Sequence, residues 1–345
     1  MTTENFDINR EVIEIDSNYP LMGCIAFGVI DRGTNVIQIR PTSICCLSCI
    51  FCSTDAGPKS VNRLSEFVIK DLDWLLEWIK TVIRFKGVKD IEAHIDTVGD
   101  PLTYNRLADL IQMLREIKEI SVISIQTHGA LLSEKIVEDL EESGLDRINL
   151  SIDAINPELA RYLSQTDWYD VKKVMEISKY IVDNTKMDLL IAPVWVPRIN
   201  DSEIPKIIEF ALKIGAGKRW PPLGIQKYVA HKRGRKPSGI KEMSWRRFYR
   251  ELKKLSLTYG VRLKLKPKDF GIRKVRKVPI LYKIGEKVKV RVVAKGWLKG
   301  EALAITSDSK RVITVVGLRD IPIDSWLYVR IISNKDNLYL ARPLR

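Results

Sequence analysis

The segment PTSICCLSCIFCST, residues 41–54, contains four of the five cysteines of this 345-residue chain. Three of them, Cys45, Cys49 and Cys52, have the spacing C-x3-C-x2-C and directly follow a strand-like run at residues 35–41. Cys46 falls outside this spacing. Thiols that are concentrated in one loop of an otherwise cysteine-poor chain favour metal binding over cross-linking.

Several kinds of site compete for these thiols. A disulfide between such near neighbours would be strained. Structural zinc needs four protein ligands, so a histidine distant in the sequence (His94, His128 or His231) would have to complete the site. A redox pair of Cys49 and Cys52 would leave the third spaced thiol without a role. A four-iron cluster held by three thiolates keeps one iron free for a substrate or cofactor. The spacing favours the cluster and leaves zinc and the redox pair open.

Strand-like runs and amphipathic helices alternate from residue 35 to residue 229. The predicted strands lie at 35–41, 90–97, 121–127, 146–153, 188–196 and 223–229. The predicted helices lie at 64–85, 102–117, 133–142, 157–163, 169–184 and 202–214, and the predicted N-caps are Thr103, Ser133, Asn156 and Asp201. This alternation predicts an α/β fold with a parallel sheet, closed into a partial (β/α)6-type barrel with its chemistry at the C-terminal strand ends.

The charge of the chain is unevenly distributed. The formal net charge is +14, but residues 1–218 contain 24 basic and 34 acidic side chains, whereas residues 219–300 contain 26 basic and four acidic ones. Such a basic segment indicates a surface that faces a polyanion, nucleic acid above all. The alternative is a solvated basic face without a specific partner.

Composition divides the chain into four parts. We expect an N-terminal extension (1–34), the α/β domain (35–230), a basic helical connector (231–279) with its helix at 244–256, and a small all-β, OB-like barrel (280–345). The five barrel strands are predicted at 286–295, 300–308, 311–318, 325–333 and 337–344. The polar N-terminus and the lack of an apolar run of about 18 residues predict a cytoplasmic protein without membrane attachment.

Four motifs occur in an order that resembles the radical S-adenosylmethionine (SAM) superfamily. The first is the cysteine spacing itself, with Phe51 just before the last cysteine. VGDPLTY (98–104) is similar to the family's GGE-type motif, with Asp100 where Glu is commoner. QTHGALL (126–132) is similar to its TNG-type turn, with His128 in the Asn place. NLSIDA (149–154) resembles the strand that meets the ribose of SAM. The resemblance covers roughly residues 20–230.

The resemblance implies two cofactors, one [4Fe–4S] cluster and SAM, together with an electron donor such as ferredoxin. The implied cluster ligands are Cys45, Cys49 and Cys52. The implied SAM-binding residues are Phe51, Gly99, Asp100, Pro101, Ser151 and Asp153. Asp100 also fits a simple helix cap, and Ser151 and Asp153 fit a strand end. Reduced SAM would yield a 5′-deoxyadenosyl radical that takes hydrogen from carbon. The lack of further spaced cysteines argues against a second cluster and against sulfur insertion.

Residues 284–333 resemble a TRAM domain, an RNA-binding barrel, which makes the whole chain similar to an archaeal-type RNA-modifying enzyme. The predicted RNA contacts are Arg233, Arg235, Arg246, Arg247, Lys287, Lys289, Arg291, Lys295, Trp297 and Lys299, although Trp297 also fits a core position. The segment DIPIDSW (320–326) departs from the TRAM pattern.

The expected activity is radical modification of RNA, in particular tRNA, at a carbon. C-methylation of a hypermodified adenosine beside the anticodon, such as threonylcarbamoyl adenosine, would be one such transferase reaction. Two alternatives stay open. One is a radical SAM enzyme that acts on a protein or a small metabolite. The other is a non-enzymatic RNA-binding protein that contains a metal or a cluster.

Overall fold

The computed structural model describes residues 10–318, 320 and 323–344. The first nine residues, on which part of the N-terminal prediction rests, lie outside the described residues. So do Ile321 and Pro322 of the segment that departs from the TRAM pattern. Among the described residues, the helices are too short or too polar to cross a lipid bilayer.

The larger part of the chain forms an α/β domain around one six-stranded sheet. The strands of the domain are β1 (Glu11–Ile15), β2 (Gly28–Asp31), β3 (Val36–Arg40), β4 (Ser65–Ile69), β5 (Ile91–Ile95), β6 (Ile120–Thr127), β7 (Arg147–Leu150), β8 (Asp188–Ile191), β9 (Val194–Trp195) and β10 (Gln226–Lys227). Six of them form the main sheet, and the other four form two separate pairs, β1 with β4 and β9 with β10. The sheet order is β2-β3-β5-β6-β7-β8, and every pair from β3 to β8 is parallel. The predicted α/β fold is therefore confirmed, with five parallel strands; the sixth predicted strand, 223–229, forms only β10, which pairs with β9 outside this sheet.

The first strand of this sheet comes from a segment that the sequence assigned to the N-terminal extension. β2 pairs antiparallel with β3, from Gly28 opposite Arg40 to Asp31 opposite Ile37. All four residues of β2 are buried. A strand of four residues is too short to show an alternating pattern, which is why composition alone did not separate it from a polar extension.

Helices occur at the expected places, with corrections at the starts of three of them. They are α1 (Leu72–Lys86), α2 (Leu107–Arg115), α3 (Glu134–Glu142), α4 (Pro157–Ser164), α5 (Val171–Asn184), α6 (Glu203–Lys213) and α7 (Trp245–Tyr259). The predicted caps Ser133 and Asn156 are confirmed, because each side chain accepts a hydrogen bond from the backbone amide three residues later. Thr103 and Asp201 are not caps: Thr103 ends a short 3-10 turn, and Ser202 precedes α6.

The predicted helix 64–85 is wrong over its first eight residues, about two turns. Residues 65–69 form β4, which pairs in parallel with β1, and the helix begins only after Asp71, whose side chain accepts from the Trp74 amide. Glu66 in β4 is fully buried, and its carboxylate pairs with Arg63 at 2.8 Å and with Arg10 at 3.0 Å. Arg63 and the distant Arg10 compensate this buried charge, and Arg63 lies at a spacing that a helix would also allow, so the helix-like composition was misleading.

The C-terminal part is a closed five-stranded barrel, as the turn pattern predicted. Its strands are β11 (Lys287–Lys295), β12 (Glu301–Thr306), β13 (Val312–Val316), β14 (Trp326–Ser333) and β15 (Leu340–Pro343), in the order β11-β12-β13-β15-β14. Along β11 the side chains alternate between solvent and interior. Val290, Val292 and Val329 lie in its apolar core, fully shielded from solvent.

Backbone contacts fix the barrel to the α/β domain. The Val312 amide donates to the Met22 carbonyl at 3.0 Å, and the Tyr339 amide donates to the Gly23 carbonyl at 2.9 Å. Gly23 has φ +133°, and an added Cβ there would lie 1.9 Å from the Val312 carbonyl oxygen. Only glycine lets the backbone of the segment before β2 come this close to β13, so this segment holds the barrel against the α/β domain.

Candidate functional site

A cavity of about 360 Å³ lies where the loops after β3, β5, β6 and β7 meet. Because these strands are parallel, their C-terminal ends share one edge of the sheet, and the loops that follow them converge there. Of the predicted cluster and cofactor residues, the cavity is lined by Cys45, Cys49, Phe51, Cys52, Gly99 and Ser151. The structure therefore brings together side chains from three separate motifs.

The three spaced thiols lie in what we call the cysteine loop, residues 41–57. Cys45 and Cys49 are buried, Cys52 is half-buried, and the Cys52 sulfur accepts from the Ala56 amide at 3.2 Å. Burial raises the pKa of the Cys45 thiol, as do the charges of Asp100 and Cys52. Burial and the neighbouring thiols Cys45 and Cys52 likewise raise the pKa of Cys49. Thiols that oppose one another's ionisation in this way need a cationic group if all are to be thiolates.

The donor set fits a cluster better than a single ion. Within the described ranges, no three His, Cys, Asp or Glu side chains converge on a point that could hold one metal ion. Zinc would need four donors, with sulfur about 2.3 Å from the metal. A [4Fe–4S] cluster instead accepts one thiolate on each of its irons, so its ligands stand farther apart. Cys46 is buried but does not line the cavity.

The VGDP turn packs against the back of the cysteine loop. The Asp100 amide donates to the Ile44 carbonyl at 2.8 Å, and a Cβ on Gly99 would lie 1.9 Å from that carbonyl oxygen. A side chain at position 99 would therefore push the two loops apart. Gly99 lines the cavity, whereas Pro101 begins the 3-10 turn behind it.

The Asp100 carboxylate joins loops within the fold. It is 2% exposed, accepts from the Thr127 hydroxyl at 2.8 and 2.9 Å, from the His128 amide at 3.0 Å and from the Leu102 amide at 3.0 Å. It does not line the cavity. The side chain thus acts as the cap that the sequence also allowed, and it ties the VGDP turn to the QTHG turn.

The two predicted residues after β7 differ in their placement. Ser151 lines the cavity, and its hydroxyl accepts from the Gln126 amide group at 2.9 Å. Asp153 accepts from the Val194 amide at 2.7 Å, and its second oxygen lies 3.6 Å from His128 Nε2. Burial raises the pKa of Asp153, while His128 lowers it. Ser151 is thus available to a ligand, whereas Asp153 lies beside His128 and does not line the cavity.

His128 is the residue that sequence reasoning undervalued. Its Nε2 lies 3.7 Å from the Cys49 sulfur and 3.6 Å from Asp153, and the ring lines the cavity. The available signal was its place in the TNG-type turn, where the family has Asn. His94 and Gln126 were also missed as cavity residues. They are polar positions within otherwise apolar strands.

The exposed side of the barrel presents a face of cations and aromatic rings, which we call the barrel platform. It consists of Lys287, Lys289 and Arg291 on β11 and Trp326, Tyr328 and Arg330 on β14. Each residue of one strand stands opposite one of the other. Lys287 Nζ lies 4.2 Å from the Tyr328 ring centre, and Lys289 Nζ lies 5.0 Å from that of Trp326. Each of these two residues is about half exposed, 51% for Trp326 and 50% for Tyr328.

The two platform rings were absent from the predicted RNA contacts. The alternation W-L-Y-V-R along β14 was their signal, since it places Trp326, Tyr328 and Arg330 on one face. Of the other predicted contacts, Lys295 and Lys299 are exposed on the barrel, and Arg246 and Arg247 are exposed on α7.

Lys295 pairs with Glu11 at 2.9 Å, and three further predicted RNA contacts bind within the protein. Arg233 pairs with Glu301 of the barrel while half of its side chain stays exposed. Arg235 is turned inward to the cysteine loop, where its side chain is 17% exposed. Trp297 is 7% exposed, and the Arg63 guanidinium lies over it, 4.8 Å from the centre of the Trp297 ring. This burial leaves Trp297 no open face for a base, and it fits the core alternative.

Comparison with known proteins identifies the α/β domain. The sequence profile described as the Radical SAM superfamily matches residues 39–211, which include the cysteine loop and the three motifs behind it. An uncharacterized protein of Methanocaldococcus jannaschii is 41% identical over 96% of this chain and 80% of its own length. A GTP 3′,8-cyclase of Syntrophomonas wolfei is 28% identical over 53% of each chain. The chain thus spans only about half the length of that cyclase.

A solved structure shows the same fold. The Streptococcus suis protein SuiB, determined with its precursor peptide SuiA, superposes with a TM-score of 0.50 over 71% of this chain and 48% of its own. The identity is 19%, so this likeness concerns the fold alone.

Proposed function

The chain belongs to the radical SAM superfamily, and we propose that it is an RNA-modifying member that acts at a carbon atom of tRNA. Enzymes of this superfamily use a [4Fe–4S] cluster and SAM. The proposal concerns the substrate, the residues that hold the cofactors and the role of the barrel. It rests above all on one observation, the barrel platform.

The cavity suits both cofactors. In this proposal Cys45, Cys49 and Cys52 hold the cluster, and one iron remains open for SAM. When bound, the pair supplies a carbon-centred radical that removes hydrogen from an unactivated carbon. Phe51, Gly99 and Ser151 line the space for SAM, and the buried ties around Asp100 hold the surrounding loops in place.

The barrel platform supports RNA as the substrate. Lys287, Lys289 and Arg291 supply positive charge for phosphates, which gives affinity that depends on salt. Trp326 and Tyr328 each keep about half of their surface exposed, and unpaired bases stack on such rings. Cations that alternate with exposed rings on two paired strands are what an OB-like or TRAM-like RNA-binding barrel requires.

The exposed cations of α7 extend the basic surface beyond the barrel. Arg246 and Arg247 lie in the first turn of α7, next to the segment that follows β10 and reaches the cavity through Tyr228. An RNA that contacts both the barrel platform and α7 would be held by two surfaces of the same chain. The same proposal includes a transferase reaction, such as C-methylation of a hypermodified adenosine beside the anticodon. It also includes a ferredoxin-like electron donor.

A small nucleotide is the second candidate substrate. The relatives named GTP 3′,8-cyclase match about half of this chain. That reading gives the barrel platform no role. The two candidates differ in what they predict for the cell's RNA.

The deciding experiment compares modified nucleosides. RNA from a wild-type strain and from a strain lacking this gene is digested and analysed by mass spectrometry, with the Cys49→Ala gene as a control for restoration. We expect one nucleoside to change mass in the deletion strain and to be restored only by the wild-type gene. If no tRNA or rRNA nucleoside changes mass, the RNA proposal fails. Conversion of GTP by the purified protein would then favour the second candidate.

A further inference from the structure

We propose that Arg235, which the basic connector supplies, is a positioning residue for the cysteine loop and sets the charge beside the cluster site. The connector lies outside the segment that the family profile matches. The sequence suggested an RNA contact for this arginine, but the geometry directs it toward the cysteines. The inference does not depend on RNA as the substrate.

One guanidinium spans the loop at three points. Arg235 Nε donates to the Cys49 carbonyl at 2.7 Å, and Nη1 pairs with Asp55 Oδ1 at 3.0 Å. Nη2 donates to the Ala56 carbonyl. The Arg235 amide in turn donates to the Cys52 carbonyl at 2.8 Å. Two of the three cluster cysteines are thus held through their backbone by a single residue.

Asp55 makes this arginine necessary. The Asp55 carboxylate is fully buried, and its second oxygen accepts from the Ser60 hydroxyl, the Val61 amide, and both the backbone and side-chain amides of Asn62. These bonds bend the chain after Cys52 back on itself. Arg235 is the cation that compensates this buried charge, and its loss would leave a carboxylate unpaired.

The residue before Arg235 allows the close approach. An added Cβ on Gly234 would lie 2.7 Å from the Cys52 carbonyl oxygen and 2.8 Å from that of Ser53. A larger residue at position 234 would therefore lift the connector from the loop. Neighbouring Lys232 is exposed, so the same basic run contains an inward arginine and an outward lysine.

Two separable effects follow from this arrangement. A cation beside Cys49 favours the more negative, reduced form of a cluster, which raises its reduction potential. The planar fork of the guanidinium holds three oxygens at once, which a lysine ammonium does not reproduce. Charge and geometry can therefore be tested with different substitutions at one position.

The experiment uses the full-length protein, reconstituted with iron and sulfide without oxygen, in three variants. For Arg235→Gln we expect a more negative reduction potential in an electron paramagnetic resonance titration. We also expect release of iron to a chelator about tenfold faster, as loss of a hydrogen bond to a charged group implies. For Arg235→Lys we expect a potential close to wild type with faster iron release. Lys232→Gln removes the same charge from the exposed neighbour and is expected to change neither quantity.

Two results would overturn the proposal. One is an Arg235→Gln protein whose potential and iron release match those of Lys232→Gln. If Arg235→Gln does not fold, Arg235→Lys decides, and iron release at the wild-type rate in that variant would show that the fork does not position the loop.

Discussion

Around the cavity, the polar side chains are buried and bound to several partners, whereas on the barrel platform they are exposed and contact mainly one another. Asp100 accepts from three different donor residues on two loops, and Asp55 accepts from the segment that follows the cysteine loop and from the connector. On the platform, Lys287 and Lys289 lie over the rings of Tyr328 and Trp326. One region is organised before any ligand arrives, and the other keeps its faces free for a partner.

This difference predicts how each region responds to substitution. A buried residue with several partners cannot be removed without leaving unpaired groups, so single changes near the cavity should have large effects. Exposed residues that share one task contribute individually small amounts, so platform variants should weaken binding in steps.

The sharpest contrast lies within the cysteine loop. We expect Cys49→Ala to abolish cluster binding and the reductive cleavage of SAM, because one of three ligands is lost. Cys46→Ala is the matched control, since Cys46 is equally buried but outside the spacing, and it should retain iron. Iron and sulfide per chain, and release of 5′-deoxyadenosine, measure both variants. A Cys49→Ala protein that still cleaves SAM would refute the ligand assignment.

The glycines of the two regions should differ in their tolerance. Gly99→Ala places a Cβ 1.9 Å from the Ile44 carbonyl oxygen, and we expect a loss of about 3 kcal/mol in the free energy of unfolding. Gly300→Ala on the barrel meets no atom within 4 Å, so only its positive φ opposes it, at about 1 kcal/mol. Denaturant unfolding compares the two. Equal losses would contradict the close packing behind the cysteine loop.

Platform aromatics should contribute to RNA affinity and little to stability. We expect Trp326→Ala to weaken tRNA binding about tenfold, because stacking on one base contributes about 1–3 kcal/mol. Trp168→Ala removes an equally exposed tryptophan from the α/β domain and serves as the control. Fluorescence anisotropy with labelled tRNA measures the affinity. The same affinity in both variants would remove Trp326 from the RNA surface.

A single platform lysine should have the smallest effect, visible mainly in salt dependence. We expect Lys289→Gln to reduce the slope of log affinity against log salt by about one, as loss of one phosphate contact implies. Titrations at several salt concentrations, with wild type in parallel, give the slope. An unchanged slope would mean that Lys289 contacts no phosphate.

The sequence predicted the parts of the molecule that depend on local patterns. Cysteine spacing placed the thiols at a strand end, and the turn signals of the last 65 residues predicted the five barrel strands. β4 was missed because it pairs with β1, more than 50 positions away, and because Arg10, one of the two cations that compensate Glu66, also lies far from it in the sequence. The inward turn of Arg235 was missed for a similar reason, since a partner 180 positions away decides it.

Two tryptophans also show that local sequence does not determine which contacts a side chain makes. Trp297 and Trp326 occur in similar basic, strand-rich sequence, yet one is buried beneath Arg63 and the other stands exposed over β11. The register of β14 against β11 determines which ring faces solvent, and the register becomes known only when the barrel closes. Local composition therefore predicted a basic aromatic surface but assigned to it a ring that is buried.

The proposal that RNA reaches the radical site through the barrel platform can be tested in one assay. Reconstituted wild-type protein and the double variant Trp326→Ala/Tyr328→Ala are incubated with SAM and a reductant, with and without tRNA from the deletion strain. The 5′-deoxyadenosine formed and the modified nucleoside are then measured together. We predict tRNA-dependent formation of both in the wild type and little of either in the double variant, with equal iron content. Equal yields in the two proteins, or a wild-type yield that tRNA does not change, would contradict the account.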